Sequence, residues 1–170
     1  MAVLISDKIA RIIKNRKRLE KILNVKISNN GKEVTFTGAA EDEYVAEKVL
    51  SALDLGFSFS DAVLIKEQEL DFDIINIKDF SRRGNTEKIR GRVIGKQGRA
   101  LATLSELTKC SLEIKQNEIG IIGEPDRIKF AIDAIAQIVR GSKHANVYKG
   151  LEKRKEDPLV DLGLRKNENK

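Results

Sequence analysis

The stretch Arg90–Arg99, written RGRVIGKQGR, places three glycines and four cations around two β-branched residues. Glycines beside a lysine are typical of phosphate-binding loops, and the first candidate is the nucleotide-binding pattern G-x-x-x-x-G-K-[ST]. The stretch does not fit this pattern, because only three residues separate Gly91 from Gly95 and Gln97 stands where a hydroxyl would have to reach a magnesium ion. Nor do the glycines spell the dinucleotide fingerprint G-x-G-x-x-G. The loop must therefore serve another purpose.

The residues on both sides of this stretch predict the elements around it. Leucines at helical spacing over 101–107 predict a short helix that ends at Thr108. Alternating apolar residues then predict two strands, the second of which ends at Gly123, and a helix that follows from Pro125 to Gly141. Upstream, residues 72–77 predict a strand and residues 88–94 one or two helical turns. The predicted order is strand, helix, glycine turn, helix, strand, strand, helix.

This order gives the glycine turn a physical role. A G-x-x-G turn between two helices directs backbone N–H groups outward at the N-terminus of the second helix, where the helix dipole favours an anion. Glycine also lets a sugar-phosphate backbone approach without meeting a Cβ atom. Cations of the stretch would attract phosphates, and apolar side chains would form the opposite wall of a narrow groove for bases. The residues that we expect to contact RNA are Arg90, Arg92, Val93, Ile94, Gly95, Lys96, Gln97, Gly98, Arg99, Leu112 and Ile114.

Residues 72–140 resemble a KH domain of the type in which the third strand and helix lie at the C-terminal end. The segment V-I-G-K-Q-G matches the signature of that family, and it lies at the expected place in the order of elements. A KH domain clamps four unstacked nucleotides of a single strand between its G-x-x-G loop and an apolar groove. The resemblance therefore implies binding of single-stranded RNA.

The N-terminal half repeats the same pattern. Glu33–Gly38 aligns with Glu118–Gly123 at a constant offset of 85 residues, and the apolar positions of the following helices align as well. Where the second copy has its glycines, the first has the basic segment Ile12–Arg18. A β-carbon at each glycine position would crowd the phosphate path, so the first copy is predicted to be a degenerate KH-like module. Its cations are either a nonspecific RNA contact or a solvated basic face.

The predicted fold class is α+β. We expect two tandem type I KH-like domains, each a three-stranded sheet with helices on one face, packed as one body because no Gly/Ser/Pro-rich linker separates them. The predicted divisions are a degenerate KH-like domain over 1–56, a connecting helix and acidic segment over 57–70, a KH domain with an intact GKQG loop over 71–155, and a flexible tail over 156–170.

Composition and charge limit the class of protein. The chain of 170 residues has a formal net charge of +6, which favours a polyanionic partner. Its one cysteine excludes an intramolecular disulfide and suits a reducing compartment. No apolar run approaches the length of a membrane span, and Met1–Ile5 is too short for a signal peptide. We expect a soluble, cytoplasmic protein without a membrane partner.

Over nearly its whole length the chain resembles the archaeal pre-rRNA-processing KH proteins, which are relatives of the eukaryotic partner-of-Nob ribosome-assembly factor. The segments D-I-I-N-I, R-G-R-V-I-G-K-Q-G-R, I-I-G-E-P and R-G-S-K-H-A-N-V-Y-K-G-L-E carry this resemblance. It implies binding near the 3′ end of small-subunit rRNA and cooperation with a PIN-domain endonuclease. It also implies RNA contact by Lys143 and His144 of the S-x-H motif, whereas the residue chemistry of His144 alone favours a surface or capping residue.

An enzyme reading finds little support in the sequence. His144 has no cysteine or carboxylate cluster at metal-ligand spacing, and Cys110 has no base beside it, so we expect neither catalysis nor a cofactor or metal. Three function classes remain. They are a noncatalytic RNA-binding assembly factor, an RNA-binding adaptor that acts on mRNA or in translation, and a protein-binding scaffold with a vestigial KH pair. The oligomeric state is left open.

Overall fold

The structure is a computed structural model that describes residues 1–81 and 84–156 of the chain. Apart from Glu156, the predicted tail over 156–170 lies outside the described residues. None of the helices in the described ranges is both long enough and apolar enough to cross a membrane.

The first half has the order strand, helix, helix, strand, strand, helix, followed by a connecting helix. Its elements are β1 (Ala2–Ile5), α1 (Ile9–Lys14), α2 (Arg16–Leu23), β2 (Lys26–Asn30), β3 (Glu33–Thr37), α3 (Ala40–Leu55) and α4 (Phe59–Glu67). The connecting helix expected within 57–70 is α4. It begins at Phe59 because Ser58 is its N-cap and accepts a hydrogen bond from the amide of Asp61.

The second half has the predicted order of elements and one further helix. Its elements are β4 (Asp71–Asn76), α5 (Thr86–Ile94), α6 (Arg99–Thr108), β5 (Ser111–Lys115), β6 (Glu118–Gly123), α7 (Pro125–Val139) and α8 (His144–Glu156). The predicted end of the first helix after the glycine turn, at Thr108, is confirmed. The predicted first strand, 72–77, is shifted by one residue, because Ile77 begins a 3₁₀ turn instead of continuing β4.

Each half contains one three-stranded antiparallel sheet. The strand orders are β1-β3-β2 and β4-β6-β5, so in each half the last strand lies between the other two. The expected α+β class is therefore observed. The 85-residue offset also holds for β2 with β5 and for the first residues of α3 and α7, Ala40 and Pro125.

Two elements were not predicted. The strand β1 is a run of four apolar or small residues that pairs with β3, from Ala2 opposite Phe36 to Ile5 opposite Glu33. The helix α8 packs its buried Val147 and Leu151 into the core of the second half. Both elements depend on partners distant in sequence.

The two halves contact each other through the outer face of the second sheet. Ile122 of β6 belongs to the buried cluster of the first half, and the ring of Phe57 meets the ring of Phe72 edge-on, with centroids 6.0 Å apart. Ion pairs flank this apolar contact: Lys48 lies 2.6 Å from Asp71 and Lys115 lies 3.4 Å from Asp54. We call this set of contacts the seam.

Candidate nucleic-acid interface

Three of the four residues between α5 and α6 have positive φ. Gly95 has φ 73° and ψ 176°, Gln97 has φ 55°, and Gly98 has φ 74°. The amide of Gly95 closes α5 by donating to the carbonyl of Gly91 at 2.8 Å, and the amide of Gly98 donates to the carbonyl of Gly95 at 3.2 Å. We call Gly95–Gly98 the glycine loop. It separates the two helices by four residues and leads directly into the first turn of α6.

The two loop glycines have different surroundings. A Cβ atom on Gly95 would lie 2.6 Å from the Cβ of Ala100 and 2.8 Å from its amide nitrogen, which is closer than nonbonded atoms approach. A Cβ atom on Gly98 would have no other atom within 4 Å. Gly95 is thus required by the turn itself, whereas Gly98 leaves open surface where a ligand can approach.

The side chains of the glycine loop point to solvent. Lys96, Gln97 and the following Arg99 are exposed, and Arg90 on α5 is half-buried. Gly98 is the N-cap of α6, so no side chain caps the helix, and its first turn contains no acidic residue. A helix N-terminus and exposed cations together form a site suited to an anion such as phosphate.

The other expected wall of the groove is the edge strand β5. Leu112 and Ile114 of β5 are half-buried, as is Ile94 at the end of α5. Because strands hydrogen-bond to opposite sides at alternate residues, the observed pairing with β6 leaves the amides and carbonyls of Leu112 and Ile114 on the outer edge of β5. No described group outside the sheet bonds to them. This edge can offer hydrogen bonds to the edges of bases.

Val93 is buried, although the sequence predicts it to be an RNA contact. Its side chain is 0 % exposed and belongs to the core of the second half. The helical phase of α5 turns Val93 inward and leaves Ile94 beside the glycine loop. Val93 therefore contributes to the core and offers no surface to RNA.

Arg92 and His144 are also not simple RNA contacts, because their side chains bond to backbone carbonyls of the protein itself. The guanidinium of Arg92 donates to the carbonyls of Ile138 at 3.2 Å and Ser142 at 2.9 Å, near the end of α7. His144 Nε2 lies 2.8 Å from the carbonyl of Arg92, and since a carbonyl only accepts, Nε2 carries the proton. We call these three hydrogen bonds the clasp. It joins α5, α7 and α8 just before the glycine loop.

Lys143 is exposed and stays a candidate RNA contact, whereas Cys110 is a buried core residue. Lys143 precedes α8 and is exposed, which is compatible with the expected RNA contact. Cys110 is 2 % exposed, and its burial raises the pKa of the thiol, with a smaller opposing effect from its hydrogen bond to the carbonyl of Thr108. A buried thiol with a raised pKa suits packing better than nucleophilic chemistry.

The corresponding position in the first half has no comparable loop. A single residue, Asn15 with φ −106°, separates α1 from α2. Lys14, Arg16 and Lys17 are exposed around it, and Arg16 pairs with Glu20 at 3.7 Å. Without positive-φ residues between its helices, this half has the cations of the site but not the turn.

Comparison with known proteins places the second half in a family. Residues 71–156 match the second KH domain of PNO1, described as a eukaryotic-type KH domain of type I. A KH domain-containing protein of Methanocaldococcus jannaschii is 28% identical over 148 residues, which are 83% of this chain and 65% of that protein. The pre-rRNA-processing protein PNO1 of Coccidioides immitis is 28% identical over 71% of this chain and 47% of its own length. The chain thus spans between about half and two thirds of these relatives.

A solved structure extends the similarity to both halves. The crystal structure of an a/eIF2alpha–aDim2p–rRNA complex from Pyrococcus horikoshii contains a chain that matches with a TM-score of 0.84 and 30% sequence identity. The match covers 92% of this chain and 94% of that one. From the family match, the sheet order and the glycine loop, we conclude that the chain belongs to the PNO1 family of KH proteins.

Proposed function

We propose that this protein is a noncatalytic, cytoplasmic, single-stranded-RNA-binding protein that assists maturation of the 3′ end of small-subunit rRNA and ribosome assembly. The observation that carries the proposal is the glycine loop, with open surface at Gly98 and exposed Lys96 and Arg99 beside the N-terminus of α6. The relatives support the choice of RNA. One is named a pre-rRNA-processing protein, and another was crystallised with rRNA.

In this proposal the two walls of the groove have separate tasks. The glycine loop and its cations hold two or so successive phosphates, which fixes the register of the strand without reading its sequence. Bases lie against Ile94, Leu112 and Ile114, and the open backbone edge of β5 bonds to their polar edges. Specificity then comes from hydrogen bonds and groove shape.

The first half is proposed to be a second, degenerate KH-like module that packs with the KH domain as one body. Its sheet order is the same as that of the second half, and the seam joins the two through apolar contacts and ion pairs. The proposed divisions remain 1–56, 57–70, 71–155 and 156–170. In this arrangement the first module offers a protein-docking surface and the second holds the RNA.

A PIN-domain endonuclease is the proposed partner that cuts the rRNA. In the described ranges, no group of three or more His, Cys, Asp or Glu side chains is arranged to hold a metal ion. We expect the purified protein to show no nuclease activity with or without divalent metal. Added with the endonuclease to a precursor that spans the 3′ end, it should change the rate or position of cleavage by presenting or shielding the strand.

Crosslinking in cells tests the proposed function. Crosslinks should gather at the 3′ end of small-subunit rRNA, and Gly98→Asp should disperse them. Crosslinks concentrated on mRNA or tRNA would overturn the assembly role and favour an adaptor in translation, an alternative that the a/eIF2alpha in the Pyrococcus complex makes worth testing. Absence of salt-dependent RNA affinity in the purified protein would instead favour a protein-binding scaffold.

A further inference from the structure

Two free sheet edges in this protein are blocked by carboxylates. On the β2 edge, the outward amide of Ile27 donates to Oε1 of Glu20 at 2.8 Å. On the β4 edge, the outward amides of Phe72 and Ile74 donate to Oδ1 of the aspartate that precedes each of them, both at 2.9 Å. A carboxylate that occupies an outward amide prevents another strand from pairing there, which is one way in which proteins protect sheet edges.

The β1 edge has no such protection. The amide of Ser6 donates to the carbonyl of Lys32 at 2.8 Å, which continues the ladder between β1 and β3. Since strands alternate the side on which they bond, the amides and carbonyls of Val3 and Ile5 point to the open side. Among the described residues, no group outside the ladder bonds to them. The side chains of Val3 and Ile5 are 53% and 71% exposed.

We propose that β1 pairs antiparallel with β1 of a second copy of this chain, joining the two three-stranded sheets into one continuous sheet. A two-fold axis through Leu4 places Val3 of each copy opposite Ile5 of the other. Both are hydrogen-bonded pairs, so the junction gains about four backbone hydrogen bonds. The same pairing covers the exposed β-branched side chains with each other, a favourable cross-strand combination.

A second copy is the occupant that this edge fits best. The strand Ala2–Ile5 carries no charge, so two copies can lie together without like-charge repulsion. At its end Asp7 is already neutralised by Lys32, 3.3 Å away. A charged partner strand would find no complementary charge along the edge, whereas the apolar side chains of an identical strand can pack against those of β1.

The area buried between the two β1 strands sets the expected affinity of the dimer. A junction of one four-residue strand per copy falls below the roughly 1,000 Å² that stable interfaces bury. The dimer should therefore be weak and depend on concentration. The proposal involves no residue of the glycine loop, so RNA binding by the monomer is independent of it.

Sedimentation equilibrium between about 10 μM and about 1 mM tests the proposal, since weak dimers populate only at high concentration. The wild-type protein should shift toward a dimer mass as concentration rises, and Ile5→Lys should stay monomeric. The matched control is Ile74→Lys, an exposed apolar residue of the blocked β4 edge, which should dimerise like wild type. Thermal unfolding confirms that both variants fold. A wild-type protein that is monomeric throughout, or an Ile5→Lys variant that still dimerises, would overturn the proposal.

A crosslinking measurement tests the register and needs no lysine variant. Residues in a hydrogen-bonded pair have Cα atoms about 5.5 Å apart, within reach of a disulfide. An equimolar mixture of Val3→Cys and Ile5→Cys should yield more disulfide-linked heterodimer on mild oxidation than either variant yields homodimer. Cys110 is buried and identical in both. Equal yields in the three samples would refute the pairing about Leu4.

Discussion

At the scale of single residues, Gly95 and Gly98 have almost the same φ but different roles. Gly95 combines φ 73° with ψ 176°, a region that is almost confined to glycine, and its missing Cβ makes room for Ala100. Gly98, with φ 74° and ψ 13°, lies in the left-handed helical region that other residues adopt at a modest cost.

Alanine substitutions separate these roles. Gly98→Ala should lower the free energy of unfolding by about 1–2 kcal/mol, the cost of a left-handed backbone with a Cβ atom. Gly95→Ala should cost more, because it adds the clash with Ala100 to the strain. Urea unfolding of both variants measures the difference. Equal losses would show that Ala100 yields freely and that the turn does not require Gly95.

Arg92 and His144 show what sequence reading could not predict. The sequence placed Arg92 among the cations of the loop, but its guanidinium is occupied by the end of α7, a partner 46 to 50 residues away. His144 likewise bonds to backbone 52 residues distant. Residue type predicted a charge and a titratable ring near the site, while their partners depend on how three helices pack.

The clasp predicts a distinct effect on RNA binding. Arg92→Gln and His144→Ala should weaken RNA affinity by loosening the end of α5, without changing the slope of log affinity against log salt. Lys96→Gln should reduce that slope by about 0.7, the value for one lost phosphate contact on a single strand. His144→Gln, whose amide can donate to the same carbonyl, should recover part of the affinity. A reduced slope for Arg92→Gln would instead assign that side chain to phosphate.

At the scale of elements, the sequence predicted those with regular apolar periodicity and missed those that depend on contacts distant in the chain. The helices α6 and α7 were predictable because apolar residues repeat every three or four positions over several turns. The strand β1 has four residues without alternation, and its stability comes from β3, about thirty residues further along the chain. In α8 the apolar residues are sparse among lysines and arginines, so only its packing against α6 and α7 reveals its buried face.

Asp54, near the end of α3, ties this helix to both the chain after β1 and the second half. Burial by itself would raise the pKa of Asp54, but hydrogen bonds from the Ser6 hydroxyl and the Lys8 and Asp7 amides, with the charge of Lys115, outweigh it. The pKa is therefore below its ordinary value of 3.8. A carboxylate with a lowered pKa stabilises the folded state above that value and loses the effect as pH falls through its folded pKa.

Asp54→Asn should therefore be destabilising at pH 7 by at least about 1 kcal/mol, the scale of a hydrogen bond to a charged group at a partly exposed site. The difference from wild type should shrink as pH falls below about 4. Glu106→Gln, which removes an exposed carboxylate of α6, provides the control and should show little difference at either pH. Urea unfolding at several pH values measures both. A loss that stays constant down to low pH would show that the charge of Asp54 contributes nothing.

At the scale of the whole molecule, the two halves repeat one pattern of elements, but only the second half has the glycine loop. The repeat was visible in the sequence at a constant offset, and the structure gives both halves the same strand order. The sequence could not show how the halves meet, because the seam joins Phe57, Phe72 and Ile122 through side chains that look like ordinary core residues. The central claim is that the intact turn holds single-stranded RNA.

Affinity for a short single-stranded RNA, measured by fluorescence anisotropy at fixed salt, tests this claim most directly. Gly98→Asp places a negative side chain on the open surface where a phosphate should lie, and Gly31→Asp adds the same charge at φ 58°, also with no atom within 4 Å, in the turn of the first half. Gly98→Asp should bind at least about tenfold more weakly than wild type, a loss of about 1.4 kcal/mol, while Gly31→Asp should bind nearly as well as wild type. Equal affinities for the two folded variants would contradict the assignment of RNA binding to the glycine loop.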